Sequence, residues 1–306
     1  MVGCVPSEPA VRPEPAVPAV AAAPPVPPVR PVPAVPSPAV VVLAVLALGG
    51  GVLAGAPVPA RAGSGATAPV RATGAADLPA YHPSRLAHLG DARQVVVVTA
   101  PAWSARRATL RAYGQRADGS WRRDLDAGRV WLGANGLVAA GRRRQSTWTT
   151  PAGTFGLPFA FGTGTDPGTA LHYEHVDARD WWPYDPRDPA TYNVWQQRRS
   201  AAADWRTSWA EDLSSFGRQY RHGVVIDFNL PAGVHWSGGE RVASRPADTR
   251  RGGGIFLHVQ ARAPAERPTA GCVAMPPARM VALLRWLDPA SRPVVVIGPR
   301  SAIDRM

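Results

Sequence analysis

From residue 92 onward, apolar positions come in short β-branched runs separated by Gly, Pro and Asn. QVVVVTA (94–100), bounded by Pro101, is one such run and reads as a strand. ATLRAYGQRADGSWRRDL alternates apolar and polar residues around Asp118-Gly119, which predicts a hairpin. VWLGANGLVAA repeats that arrangement around Asn135-Gly136. TTPAGTFGLPFAFG (149–162) is turn chemistry feeding a further strand. GVVIDFNL (223–230) and GIFLHV (254–259) read as core strands, and VVVIG (294–298) as the closing one. A helix is expected after Pro276 and Pro277, where Met280, Leu283, Leu284 and Leu287 fall at i, i+3, i+4 and i+7. A second helix is expected over roughly 194–215. The pattern predicts a mainly β domain with a few helices and no fixed repeat.

The first ninety or so residues do not follow this pattern. Thirteen of residues 1–38 are proline, which fixes φ and removes a backbone donor, so this Pro/Ala/Val tract is expected to be disordered. Residues 39–62 read as a signal peptide or membrane anchor. The dense apolar run Ala39–Leu48 is short for a span, and ARA at Ala60–Ala62 offers a small-residue cleavage site. Residues 63–91 are Gly/Ala/Thr/Pro-rich and read as a flexible linker. The folded domain is expected over 92–300, with 301–306 as a tail, and the product is expected outside the cytoplasm, membrane-bound only if the segment at 39–56 is retained.

All 34 basic side chains are arginine, and residues 92–306 carry 29 of them against 18 Asp and Glu. Such a surface suits polyanions. No zinc-finger spacing, RNP-like motif or heptad region accompanies it, so nucleic acid is not expected as a partner and anionic cell-wall polymers are. Cys4 precedes the apolar run, so Cys272 stands alone in the expected exported part. An unpaired cysteine in an oxidising compartment points to a reactive thiol. A cysteine nucleophile needs a base and donors for an oxyanion. His258 ends the strand GIFLHV fourteen residues earlier, Gly271 lets backbone N–H groups come close, and the helix starting near Pro276 could favour thiolate. His172 and His175 have a metal-compatible spacing but no third ligand nearby, so neither metal nor cofactor is expected. Trp181, Trp182, Trp195, Trp205 and Trp209 read as core and rim packing.

IFLHV…PTAGCVAMP resembles the active-site segment of L,D-transpeptidases, the YkuD-like family that cross-links peptidoglycan, and His258, Thr269, Gly271 and Cys272 match its pattern. TTPAGTF (149–155), WWPYDP (181–186), YNVW (192–195) and VVIDFN (224–229) extend the resemblance to a branch common in high-GC Gram-positive bacteria. The resemblance implies a β-sandwich or mixed-sheet catalytic domain that moves an acyl group between peptidoglycan stem peptides through a thioester, expelling D-alanine. It implies Cys272 as nucleophile, His258 as base, Thr269 as an orienting hydroxyl, and the N–H groups of Gly271 and Cys272 as oxyanion donors. Tyr192, Asn193, Phe256 and Ala270 are the substrate contacts it suggests. Ala270 and Ala274 stand where many members carry His and Arg or Asn, and Val259 where Gly often follows the first His. An L,D-carboxypeptidase and a non-catalytic wall-binding module are the alternatives.

Overall fold

The computed structural model describes residues 79–197, 203–261 and 266–306. The expected disordered, leader and most linker segments lie outside the described residues. The strands are β1 (Gln94–Ala100), β2 (Arg107–Gln115), β3 (Trp121–Trp131), β4 (Leu137–Ala139), β5 (Thr150–Gly156), β6 (Ala160–Gly162), β7 (Tyr173–His175), β8 (Trp181–Pro183), β9 (Ala210–Asp212), β10 (Gly223–Val225), β11 (Ala232–Ser237), β12 (Glu240–Arg245), β13 (Phe256–Val259), β14 (Val273–Met275) and β15 (Val294–Pro299). A single α-helix among the described residues, α1, spans Pro277–Trp286. One 11-stranded sheet runs β4-β5-β15-β1-β2-β3-β14-β13-β10-β6-β7, and β8-β9 and β11-β12 form two small ribbons. This is the mainly β architecture that the apolar runs predict.

Period-two alternation assigns each face of the sheet. In β1, Val96 and Val98 join the central core, while Val95 and Val97 join a second cluster on the opposite face. The central core is closed by Met280, Leu283 and Leu284 of α1, which packs against β13 and β3, and by Leu287 just after the helix. At the far end of the sheet, Phe161, Val225 and Phe256 turn outward into an aromatic cluster with Trp182, Trp195, Leu213, Tyr220 and Cys272. In β13, Leu257 and Val259 face the central core, so Phe256 and His258 face the aromatic side. The His258 ring lies edge-on to Tyr220 at 5.4 Å.

Three local expectations change. The Asp118-Gly119 hairpin forms between β2 and β3, but the Asn135-Gly136 turn does not join paired strands, because β3 pairs with β2 and β14 while β4 pairs in parallel with β5. No α-helix forms over the described part of 194–215. Buried Trp195 and Trp205 spend their indole N–H groups on Asp180 and Glu240, and Asp212 caps a short 3-10 turn at Leu213–Phe216 that Gly217 ends at φ +47°. The spacing of apolar residues there reflects anchors for two ribbons, not one helical face. Finally, Tyr81, Leu86 and Leu89 from the expected linker, and Ile303 from the expected tail, pack on the outer face of β1 and β15.

Leu284 is fully buried between α1 and the strands that carry the cleft. Leu284→Ala is expected to cost about 2–5 kcal/mol, read as a lowered midpoint in denaturant melts.

Candidate active site

β13 and β14 run parallel, with Leu257 opposite Val273 and His258 opposite Ala274. Cys272 directly precedes β14 and faces the aromatic cluster. Cys272 and His258 therefore lie on one side of the sheet, diagonal to each other across adjacent strands. Both line a cleft of about 300 Å³, whose wall also includes Arg143, Trp148, Tyr184, Glu211, Tyr220 and Thr269.

The loop before the sulfur is fastened from two directions. Thr269 bridges to Gly133, donating its N–H to Leu132 O at 2.9 Å while its own carbonyl accepts from Ala134. Its hydroxyl donates to Cys272 O at 2.6 Å and accepts from Gly271 N–H at 3.1 Å. Thr269 thus orients the cysteine loop and not the imidazole. The Gly271 N–H is consumed by this bond, so of the two expected oxyanion donors only the Cys272 N–H is without a hydrogen-bond acceptor among the described residues. Gly271 has φ +148°, and a Cβ there would sit 3.0 Å from Thr149 O and 3.1 Å from Arg143 Nη2, so a larger residue would displace that wall.

Cys272 is nearly buried, 7% exposed as a residue, which removes most water from around any thiolate. Phe256 N–H donates to Sγ at 3.4 Å, and the thiol donates to Gly254 O at 3.4 Å. Burial pushes the thiol pKa up to about 12, and the Glu211 carboxylate adds to the rise; the Phe256 N–H and the Arg143 guanidinium pull the other way. His258 Nδ1 lies 2.8 Å from Val259 O. A carbonyl only accepts, so Nδ1 carries the hydrogen and Nε2 the basic lone pair. Burial lowers the imidazole to about 4, against the opposing effect of the Val259 and Gln219 carbonyls. The resting pair is a neutral thiol and a neutral imidazole. The helix is not aimed at the sulfur: β14 separates Cys272 from α1 by about 10 Å of chain, and α1 packs on the opposite face.

Arg143 lies 126 residues before Thr269 and was not singled out by the sequence. It is 4% exposed. Its Nε donates to Thr149 O at 3.0 Å and its Nη1 to Arg251 O at 2.8 Å, and no carboxylate pairs with it among the described residues. Burial lowers its pKa, opposed by the nearby Cys272. Glu211 enters the cleft wall from β9, accepting from Tyr220 OH at 2.5 Å. Burial raises its carboxyl to about 7. Exposed Trp148, with φ +57°, stands at the cleft rim.

Of the expected substrate contacts, Ala270 lines the cleft and is exposed, but Tyr192, Asn193 and Phe256 are fully or almost fully buried away from its wall. Tyr192 donates its hydroxyl to Gln145 Oε1 at 3.0 Å. Phe256 contributes its backbone N–H to the sulfur while its ring packs edge-on against Trp182 and Phe161. Asn193, at φ +61°, is a clasp. Its Oδ1 accepts from Gly254 N–H at 2.9 Å and Trp182 Nε1–H at 2.8 Å, and its Nδ2 donates to Asn229 O at 2.7 Å. A Cβ on Gly253 would collide with that amide, so the clasp needs glycine. The tryptophans are packing residues, as expected: Trp182, Trp195 and Trp205 are buried. His172 precedes β7 and His175 is its last residue, with Glu174 between them, and no metal-holding group of three or more His, Cys, Asp or Glu occurs among the described residues.

Two outcomes follow from this geometry. Asn193→Ala leaves the buried Gly254 and Trp182 N–H groups without acceptors, so a loss of about 2–4 kcal/mol is expected in thermal melts. For His258, the unfolded chain binds its proton near pH 6.5 and the folded one only near 4. Stability is therefore fully present above 6.5 and falls by about 3 kcal/mol as pH drops from 6.5 to 4, a slope that His258→Gln should remove in denaturant titrations across that range.

Compared with known proteins, residues 121–296 match the family model YkuD, the L,D-transpeptidase catalytic domain. No curated protein and no solved structure matches the chain.

Proposed function

Because the chain belongs to the YkuD family of L,D-transpeptidase catalytic domains, we propose that it joins peptidoglycan stem peptides through a thioester on Cys272, with loss of D-alanine. The observation that carries the reading is the placement of Cys272 and His258 on one face of β13–β14, in one cleft.

The chemistry runs in two halves. Sγ attacks the carbonyl of the donor peptide as its proton passes to His258 Nε2. The C–S bond forms and the carbonyl oxygen becomes an oxyanion, for which the Cys272 N–H is the available backbone donor. Collapse breaks the C–N bond, and the imidazolium returns the proton to the departing D-alanine amine. An acceptor amine then attacks the thioester, forming a new amide and releasing the thiol. No nucleotide is consumed, because the energy of the peptide bond is held in the thioester, which suits work outside the membrane. A neutral resting pair fits this order: the thiolate is made only as a carbonyl arrives, so the free enzyme is spared indiscriminate thiolate reactivity. The Phe256 N–H and the Arg143 charge support the thiolate once it forms. Export belongs to the same proposal and is supported by the apolar run at Ala39–Leu48 and ARA at Ala60–Ala62. Anionic wall polymers are the proposed partners of the arginine-rich surface.

The test is mass spectrometry of the protein after exposure to a carbapenem, with stem-peptide cross-linking assayed in parallel. One adduct is expected, on Cys272. Cys272→Ala is expected to abolish both adduct and cross-linking, and His258→Ala to slow acylation by about 10²–10⁴-fold. Cross-linking by the Cys272→Ala protein would overturn the assignment.

A further inference from the structure

One carboxylate in the cleft has no part in the scheme above. Glu211 is a carboxylate on the wall of an almost dry site, beside a sulfur whose ionisation it opposes. A negative charge there is a liability for forming a thiolate. The fold nonetheless holds it firmly: its segment pairs with β8, with Trp182 opposite Glu211, and Tyr220 OH is bonded to Oε2 at 2.5 Å. That bond leaves Oε1 without a hydrogen-bond partner among the described residues. Oε1 is near Gly254, within 3.7 Å of where a Cβ would stand, and Gly254 O is the carbonyl that the thiol contacts. Arg143 is placed next to Gly271, with Nη2 3.1 Å from where a Cβ there would stand. No salt bridge within the protein neutralises either charge among the described residues. The cleft thus carries two unlike charges that act on the sulfur, a cation by Gly271 and an anion by Gly254.

Resting on the transpeptidase reading, we propose that Glu211 receives the acceptor: its carboxylate binds the incoming ammonium group on the Gly254 side and takes one proton from it. The step balances. The ammonium gives one proton to Oε1 and becomes a neutral amine. The amine nitrogen attacks the thioester carbonyl, the C–N bond forms and the C–S bond breaks. The second nitrogen proton goes to the sulfur, directly or through His258, and Glu211 later releases its proton to solvent. Tyr220 remains a donor throughout, since burial and the neighbouring carboxylate hold its hydroxyl far from ionisation. A carboxyl whose pKa is raised to about 7 by burial can both accept and release that proton near neutral pH. The other titratable or charged groups facing the cleft are Arg143, Tyr184, Tyr220, His258 and Cys272. A peptide amine is the acceptor chemistry that this side fits: a carboxylate draws in an ammonium ion by charge and neutral water only by a hydrogen bond, so Glu211 favours transfer over hydrolysis.

The experiment uses the full chain and its Glu211→Gln and Glu211→Asp variants. Acylation by a carbapenem is followed by intact mass, and the fate of a thioester formed from a donor stem peptide is followed with and without an acceptor amine. Glu211→Gln is expected to acylate at least as fast as the parent, because a charge opposing the thiolate is gone, which also shows the cleft is folded. Its transfer to the amine is expected to fall tenfold or more, with the hydrolysed product rising in its place. The pH dependence of transfer near 7 is expected to disappear, and Glu211→Asp to restore part of the rate. If the parent protein is never acylated on Cys272, the transpeptidase reading itself fails. If Glu211→Gln acylates and still transfers to the amine at the parental rate and pH profile, the role of Glu211 is overturned and the transpeptidase reading stands.

Discussion

The site depends on one strand pairing. β13 and β14 lie parallel in a fixed register, and side chains alternate across them. Leu257, Val259, Val273 and Met275 must enter the central core, where each is fully buried. That requirement leaves Phe256, His258 and Cys272 no choice of side. A slip of one residue would bury the imidazole among leucines and expel two core side chains. The hydrophobic demand of one face therefore sets the chemistry of the other, and α1 locks the arrangement from beneath.

Around that pair, polar bonds position backbone more than side chains. Thr269 holds the carbonyl and N–H groups of the cysteine loop, and Asn193 holds the Gly254 N–H. Arg143 is fixed by two carbonyls. The sulfur therefore meets Gly254 O, the Phe256 N–H and two unlike charges in a nearly dry setting. Low dielectric makes each of these contacts count for more than it would in water. It also explains why both reactive groups rest neutral.

Much of this was legible in the sequence, for identifiable reasons. The runs at 94–100, 254–259 and 294–298 are too apolar and too β-branched to be anything but buried strand, and they are β1, β13 and β15. The His-to-Cys spacing with Ser/Thr-x-Gly-Cys chemistry carried the family, and the family match spans those residues. What stayed hidden is long-range. Arg143 and Glu211 look like any surface charge in a chain with 34 arginines, because a place in the cleft wall and the want of a counter-charge there are properties of the fold. Asn193 lay inside a motif that suggested substrate contact, but its amide is used up by Trp182, Asn229 and the Gly254 N–H. The helix expected over 194–215 failed because tryptophans spaced like a helical face serve as separate anchors. The one available hint was TTPAGTF with Arg143 just upstream, which marks that stretch as a wall of the cleft only once β5 is placed.

β15 has a further bearing on how the molecule comes into being. It lies in the interior of the sheet, parallel to β1 and antiparallel to β5, so the last regular strand of the chain is clamped between two much earlier ones. Until residue 299 has been synthesised, β1 and β5 each present an open edge with unmet backbone groups. Joining β1 to β5 across the sheet therefore waits for this last strand, a late pairing of high contact order, whereas the β1-β2-β3 meander needs only contacts between neighbours in sequence.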